Sequence, residues 1–165
     1  MSKQGALEDE RGFSIVELMV IMTILGIGLV IAFSTWRGTI EIRKVDSATN
    51  QVAAALRQAH SQATNRLADS TFVTPAGTPS ALSKYQIGPA GALAFDKLPD
   101  GTQMAAATNI KFTPDGSAQV VSGPAAVGGT ITITVRSSND AANCPSSCDH
   151  TIQINTTTSR IKVVP

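Results

Sequence analysis

The sequence predicts an α+β protein in which one long N-terminal helix, half apolar and half amphipathic, packs on a C-terminal antiparallel β-sheet domain. Three observations carry this. Residues 13–33 form an apolar run interrupted by a single carboxylate, Glu17. The next twenty or so residues repeat apolar side chains at three- and four-residue steps, the helical period. Beyond Leu67 the pattern changes to short alternating runs divided by glycine- and proline-containing stretches, as strands and turns require.

The apolar run comes first. As a helix, residues 13–33 rise roughly 30 Å, the thickness of a bilayer's hydrocarbon core. Glu17 is out of place there, because a carboxylate at such depth costs about 2.5–3.5 kcal/mol on insertion scales and therefore usually has a partner. A cleaved secretory signal fits poorly. Ala32, Phe33 and Ser34 supply a loose small-x-small site that would start a mature chain at Thr35, but Glu8, Asp9 and Glu10 stand where a basic segment belongs.

The second half of the helix follows from Val45, Ala48, Val52, Leu56, Ala59 and Ala63, which share one face. Arg43, Lys44, Asp46, Gln51, Arg57 and Arg66 fall mainly on others. Only Gly38 breaks the stretch between Phe33 and Val45, so the two halves read as one helix. His60 lies at the edge of the stripe and has no second ligand type at i+3 or i+4, which makes it a boundary residue rather than a metal ligand.

Strands are expected in "STFVTP", "LSKYQIG", "NIKFTPDGSAQVVSG", "GTITITVRSS", "DHTIQIN" and "SRIKVV". Ile131, Ile133 and Val135 alternate, as do Ile152 and Ile154, so each strand has one buried face. "TPDG" predicts a tight hairpin turn, with Pro114 presetting φ and Gly116 taking the left-handed position. "PAGTPSA" and "SGPAAVGG" read as loops.

Gly12, Phe13, Ser14, Ile15, Val16, Glu17, Leu18, Met19 and Val20 resemble the processing site of type IV pilins and pseudopilins. The resemblance implies a prepilin peptidase that cuts after Gly12 and methylates the new N-terminus at Phe13. Glu17 then occupies the fifth mature position, where the family's glutamate faces the N-terminal amine of a neighbouring subunit. A carboxylate and an ammonium attract far more strongly in low dielectric than in water, so this supplies the missing partner. Ser34 stands where many relatives carry a proline; Gly26 and Gly28 loosen the helix instead. The resemblance divides the chain into a leader (1–12), a transmembrane and assembly helix (13–34), its amphipathic continuation (35–67) and a β-rich domain (68–165).

"LRQAHSQATNR", "IKFTPDGSA", the paired late strands and "SRIKV" are similar to the GspH/FimT-like minor pseudopilins. This implies a minor subunit of a type IV pilus or type II secretion-like filament. It would be anchored by one span in the inner membrane, with its C-terminal domain outside the cytoplasm and other pilin subunits as partners. In the DNA-uptake branch a glycine-arginine-x-arginine motif contacts DNA. The matching positions here are Ser159, Arg160, Ile161 and Lys162, so the glycine and the second arginine have changed. Lysine keeps the charge and loses the forked geometry. Arg160 and Lys162, aided by Arg136 on a nearby strand, are the candidate DNA contacts; a solvated strand face is the plainer reading.

Charge and cysteines narrow the classes. The chain carries +1 formally, and the first twelve residues hold one more acid than base, so the balance stays near neutral without them. Bulk charge does not mark a nucleic-acid binder. Cys144 and Cys148 lie in "NCPSSCDH". In a domain outside the cytoplasm a small disulfide loop is the leading reading, with a zinc site using Asp149 and His150, or a redox dithiol, as alternatives. No nucleophile-base constellation, P-loop or dinucleotide fingerprint is present, and neither cofactor nor metal is expected. An anchored extracytoplasmic hydrolase would need a deep polar pocket that the sequence does not reveal.

Overall fold

The computed structural model describes residues 14–89, 95–138 and 148–164, and the side-chain surroundings of all these except 33–38. Helix α1 spans Ile15–Arg66. Among the described residues nine strands and a one-turn helix follow: β1 Ser70–Val73, α2 Pro79–Leu82, β2 Lys84–Gly88, β3 Asp96–Lys97, β4 Thr102–Met104, β5 Asn109–Phe112, β6 Ala118–Ser122, β7 Thr130–Ser137, β8 His150–Asn155 and β9 Ile161–Val164. The chain divides into two compact units, Met1–Arg37 and Gly38–Pro165.

In the first unit the described side chains of α1 are exposed. Thr23 turns its hydroxyl back onto the Met19 carbonyl at 2.8 Å, satisfying its one polar group inside an apolar run.

In the second unit the strands form two antiparallel sheets, ordered β3-β2-β1-β5-β6 and β4-β7-β8-β9. The core joins them to α1. Val45, Ala48, Val52, Leu56, Ala59 and Ala63 are buried with Phe72, Ile110 and Phe112 of the first sheet and Ile131, Ile133, Ile152 and Ile154 of the second. Thr49 is buried on the same helix and donates its hydroxyl to the Val45 carbonyl at 2.7 Å, so its burial leaves nothing unpaired. Gln51 donates to the Tyr85 hydroxyl at 3.1 Å and Tyr85 stacks on Phe72 at 5.7 Å. Burial pushes the Tyr85 phenol above its usual range, against the opposing pull of that Gln51 hydrogen bond. His60 meets Phe112 edge-on at 5.9 Å, the boundary position its place on the stripe predicts.

Helix α1 ends where Leu67 turns left-handed at φ 51°, a conformation that costs a branched residue roughly 1–2 kcal/mol. Two turns lock the sheets together. In the β5–β6 turn, Gly116 adopts φ 85° and donates to the Thr113 carbonyl at 3.0 Å. The Asp115 carboxylate accepts from the Thr113 hydroxyl and the Ser117 N–H, which hold it below the usual carboxylate range. In the β8–β9 turn, Asn155 Oδ1 accepts from the N–H groups of Thr157 and Thr158 at 3.0 and 2.9 Å. The Ala118 N–H then reaches the Thr156 carbonyl at 2.8 Å, and the Ser159 hydroxyl reaches the Gly116 carbonyl at 2.7 Å. The hairpin expected from "TPDG" is present; "PAGTPSA", expected as loop, contains α2, started by Pro79 in the first helical turn.

Candidate functional site

Two surfaces carry the candidate residues. The first is the N-terminal part of α1, where Ile15–Ala32 is apolar and long enough to cross a membrane. Gly12 and Phe13 lie outside the described residues. Glu17 sits exposed in the first turn of α1, and among the described residues of that apolar segment it is the sole ionisable side chain. An acid in a first turn is favoured by the helix dipole by about 0.3–1 kcal/mol. That recovers only a fraction of its insertion cost of about 2.5–3.5 kcal/mol. Inside a membrane, a carboxylate at this position would call for a cation from outside the helix.

The second surface is the outer face of the four-stranded sheet. Register places Thr132 beside Gln153 and Gln153 beside Lys162, while the Asn155 N–H bonds the Arg160 carbonyl at 3.1 Å. Directly opposed residues share a face. The face therefore carries Gln103 from β4, Thr130, Thr132, Thr134 and Arg136 from β7, Thr151, Gln153 and Asn155 from β8, and Lys162 and Val164 from β9, with no carboxylate among these strand positions. Arg160 and Lys162 are both exposed and about 7 Å apart along the chain. Arg136 shares the face but lies two strands away and four residues further along, roughly 17 Å from Lys162. The expected trio is thus a pair plus a separate cation.

Near the other end of β8, Cys148 is buried and disulfide-bonded, and the chain's other cysteine, Cys144, lies outside the described residues. His150 is buried with Nδ1 3.8 Å from Asp46 Oδ1 on α1, whereas Asp149 is exposed. Among the described residues no three histidine, cysteine or carboxylate side chains converge as metal ligands would. The His150–Asp46 contact escaped sequence reasoning, since no pattern relates residues so far apart in the chain.

Two clefts among the described residues are small. One of about 130 Å³ is lined by Ser80, Ser83, Lys97, Asp100 and Thr102, and another of about 120 Å³ by Gln62, Arg66, Asp69 and Ser70. Ligand pockets generally run from about 300 Å³ upward.

Comparison with known proteins agrees with this geometry. Residues 9–33 match the prokaryotic N-terminal methylation motif, and residues 48–158 match the family of the type II transport protein GspH. No curated protein sequence matches the chain. Among solved structures, the type IV minor pilin FimU of Pseudomonas aeruginosa (strain PAO1) is similar in two crystal forms. In one, the likeness has a TM-score of 0.52 at 16% identity and covers 73% of this chain and 92% of FimU. In the other, the TM-score is 0.54 at 16% identity, with 74% and 90% covered. The fold is the pilin fold, a long N-terminal helix followed by antiparallel sheets. The family match spans most of the chain and follows the methylation motif of its apolar helix after a gap of residues 34–47: the chain belongs to the GspH family and is a structural subunit of the minor pilin and pseudopilin class.

Proposed function

We propose that the chain is made as a precursor, cut between Gly12 and Phe13 by a prepilin peptidase, methylated on the new amine and assembled into a type IV pilus or type II secretion-like filament. In this reading residues 13–34 hold it in the inner membrane before assembly, and residues 68–165 lie outside the cytoplasm. The observation that carries it is Glu17, the sole carboxylate described on the apolar stretch Ile15–Ala32, exposed and four residues along the sequence from Phe13. Mass spectrometry of the mature N-terminus tests the processing step. The expected terminus is methylated Phe13, and a chain beginning at Thr35 would remove the proposal.

Cys144 and Cys148 pair in the exported protein in the same reading, closing a loop whose chain-entropy contribution is small because the loop is short. Alkylation of material purified without reductant should leave both cysteines unmodified. Two reactive thiols with stoichiometric zinc would favour the metal site instead.

A second reading, capture of DNA, is favoured by the exposed pair Arg160 and Lys162 on a sheet face whose strands carry no acid. A few phosphate contacts give affinity in the range of about 10⁻⁴–10⁻⁶ M that falls steeply with salt. Duplex binding should weaken in Arg160→Ala/Lys162→Ala. Because Arg136 stands apart, Arg136→Ala should change it less. Equal binding by wild type and the double variant would end this reading.

A further inference from the structure

Among the described residues the two sheets have four edges, and three are blunted. β3 has two residues; β6 is bulged where Asn109 pairs with Ser122 and Ile110 with Val120, leaving Val121 unpaired; and α2 packs beside β4. Short edge strands, bulges and covering elements are the devices that keep sheets from adding further strands. Among the described residues β9 is neither bulged nor covered, and its guard is charge, from the exposed Lys162 with Arg160 beside it, which repels a basic strand and attracts an acidic one. Ile161–Val164 runs in unbroken register with β8, and among the described residues no strand pairs with its other side.

The hydrogen-bond phase of that edge can be read from its neighbour. The Asn155 N–H donates to the Arg160 carbonyl, so residues 155 and 160 form a bonded pair. Bonded and non-bonded pairs alternate in an antiparallel ladder, which directs the backbone groups of Lys162 and Val164 towards β8 and those of Ile161 and Val163 outwards. The side chains of Ile161 and Val163 meanwhile pack on the core, so the edge is held in place. Its exposed face carries Arg160 and Lys162, and among the described residues neither has an ion-pair partner.

We propose that the free edge of β9 is a strand-addition site for an extended, acidic segment of a partner protein. Backbone pairing through Ile161 and Val163 gives the affinity, and carboxylates opposite Arg160 and Lys162 give the selectivity. A second copy of this chain is disfavoured there. Antiparallel pairing of β9 with itself through the outward groups sets Lys162 against Lys162 or Arg160 of the second copy in two of its three registers, and like charges directly opposite destabilise a pair. In the third, with Val163 opposite Val163, Lys162 faces Val164 and gains no carboxylate. Nucleic acid could satisfy the two cations but would leave the alternating outward N–H and C=O groups unmatched. The site is independent of whether the chain enters a filament.

The test uses the full chain in detergent and two labelled hexapeptides, one alternating glutamate with valine and one alternating lysine with valine. Fluorescence anisotropy should show the glutamate peptide binding at least about tenfold tighter, and amide exchange should slow at Ile161 and Val163. Val163→Pro removes one outward N–H and none of the bonds to β8, so it should weaken the glutamate peptide by about tenfold with an unchanged circular dichroism spectrum. Arg160→Glu/Lys162→Glu should reverse the preference between the peptides, and it decides the matter alone if the proline variant does not fold. Equal binding of the two peptides overturns the proposal, as does unslowed exchange at Ile161 and Val163, or undiminished glutamate-peptide binding by folded Val163→Pro. So does binding of duplex DNA, equal in wild type and Val163→Pro, without binding of the glutamate peptide.

Discussion

Phe112→Ala is expected to destabilise the Gly38–Pro165 unit by about 3–5 kcal/mol, the range for deleting a fully buried aromatic. Phe112 has no exposed surface, and its ring takes the edge-on contact with His60 that ties α1 to β5. It also sits at the junction of β1, β5 and β6, paired with Ser70 on one side and Ala118 on the other. Loss of the ring therefore opens a cavity that helix and sheet cannot both collapse into. Thermal unfolding followed by circular dichroism should show the midpoint falling by roughly 10 °C, taking about 2–4 °C per kcal/mol for a chain of this size. Val121→Ala is the control, since that side chain is 58% exposed and its truncation should change stability by less than about 0.5 kcal/mol. Similar effects of the two substitutions would mean that the core does not bear on Phe112 as described.

What the sequence discloses about this fold follows from periodicity. The stripe from Val45 to Ala63 is buried residue for residue, because a helix lying on sheets must hide one continuous face. Ala53 and Ala55 are buried beyond the stripe, and their small side chains suit a helix covered over more of its circumference than one face. The alternation of β7 and β8 is equally plain. β3 and β4 are not legible: Asp96 and Lys97 are both exposed, and Thr102, Gln103 and Met104 are all buried, so neither strand alternates. α2 hides in a stretch whose proline reads as a loop signal yet also suits a first helical turn.

The sites divide in the same way. Glu17 stands out in sequence because a charge in an apolar run is anomalous wherever the run packs. The spacing of Arg136 from Lys162 does not, since it depends on the register of β7 on β8 and of β8 on β9, which no local pattern encodes. Gly123 is similar. A Cβ there would come within 2.7 Å of the Ala107 carbonyl oxygen, a close approach between segments that sequence separation conceals.

Glu17→Gln is expected to insert and be processed normally and yet to be almost absent from filaments. Removing the charge makes insertion easier, since the cost of about 2.5–3.5 kcal/mol belongs to the ionised group. Assembly suffers for a different reason. The proposed partner of Glu17 is the amine of a neighbouring subunit, and taking one member from a buried charge pair leaves the other uncompensated, at a cost of about 3–5 kcal/mol. At about 1.4 kcal/mol per factor of ten, the lower figure weakens each subunit addition by more than 100-fold. The separation of these effects is the informative part. A variant that failed to insert would point to a general helix defect, whereas one that is cut and methylated but stays in the membrane fraction isolates the pairing. Glu17→Asp keeps the charge on a shorter side chain and should restore part of the incorporation. The measurement is the ratio of sheared-filament to membrane-bound subunit, with the N-terminus of each fraction confirmed by mass spectrometry. An unchanged ratio for Glu17→Gln would leave the carboxylate without a role in assembly, and its place in an exposed apolar helix would need a different cation.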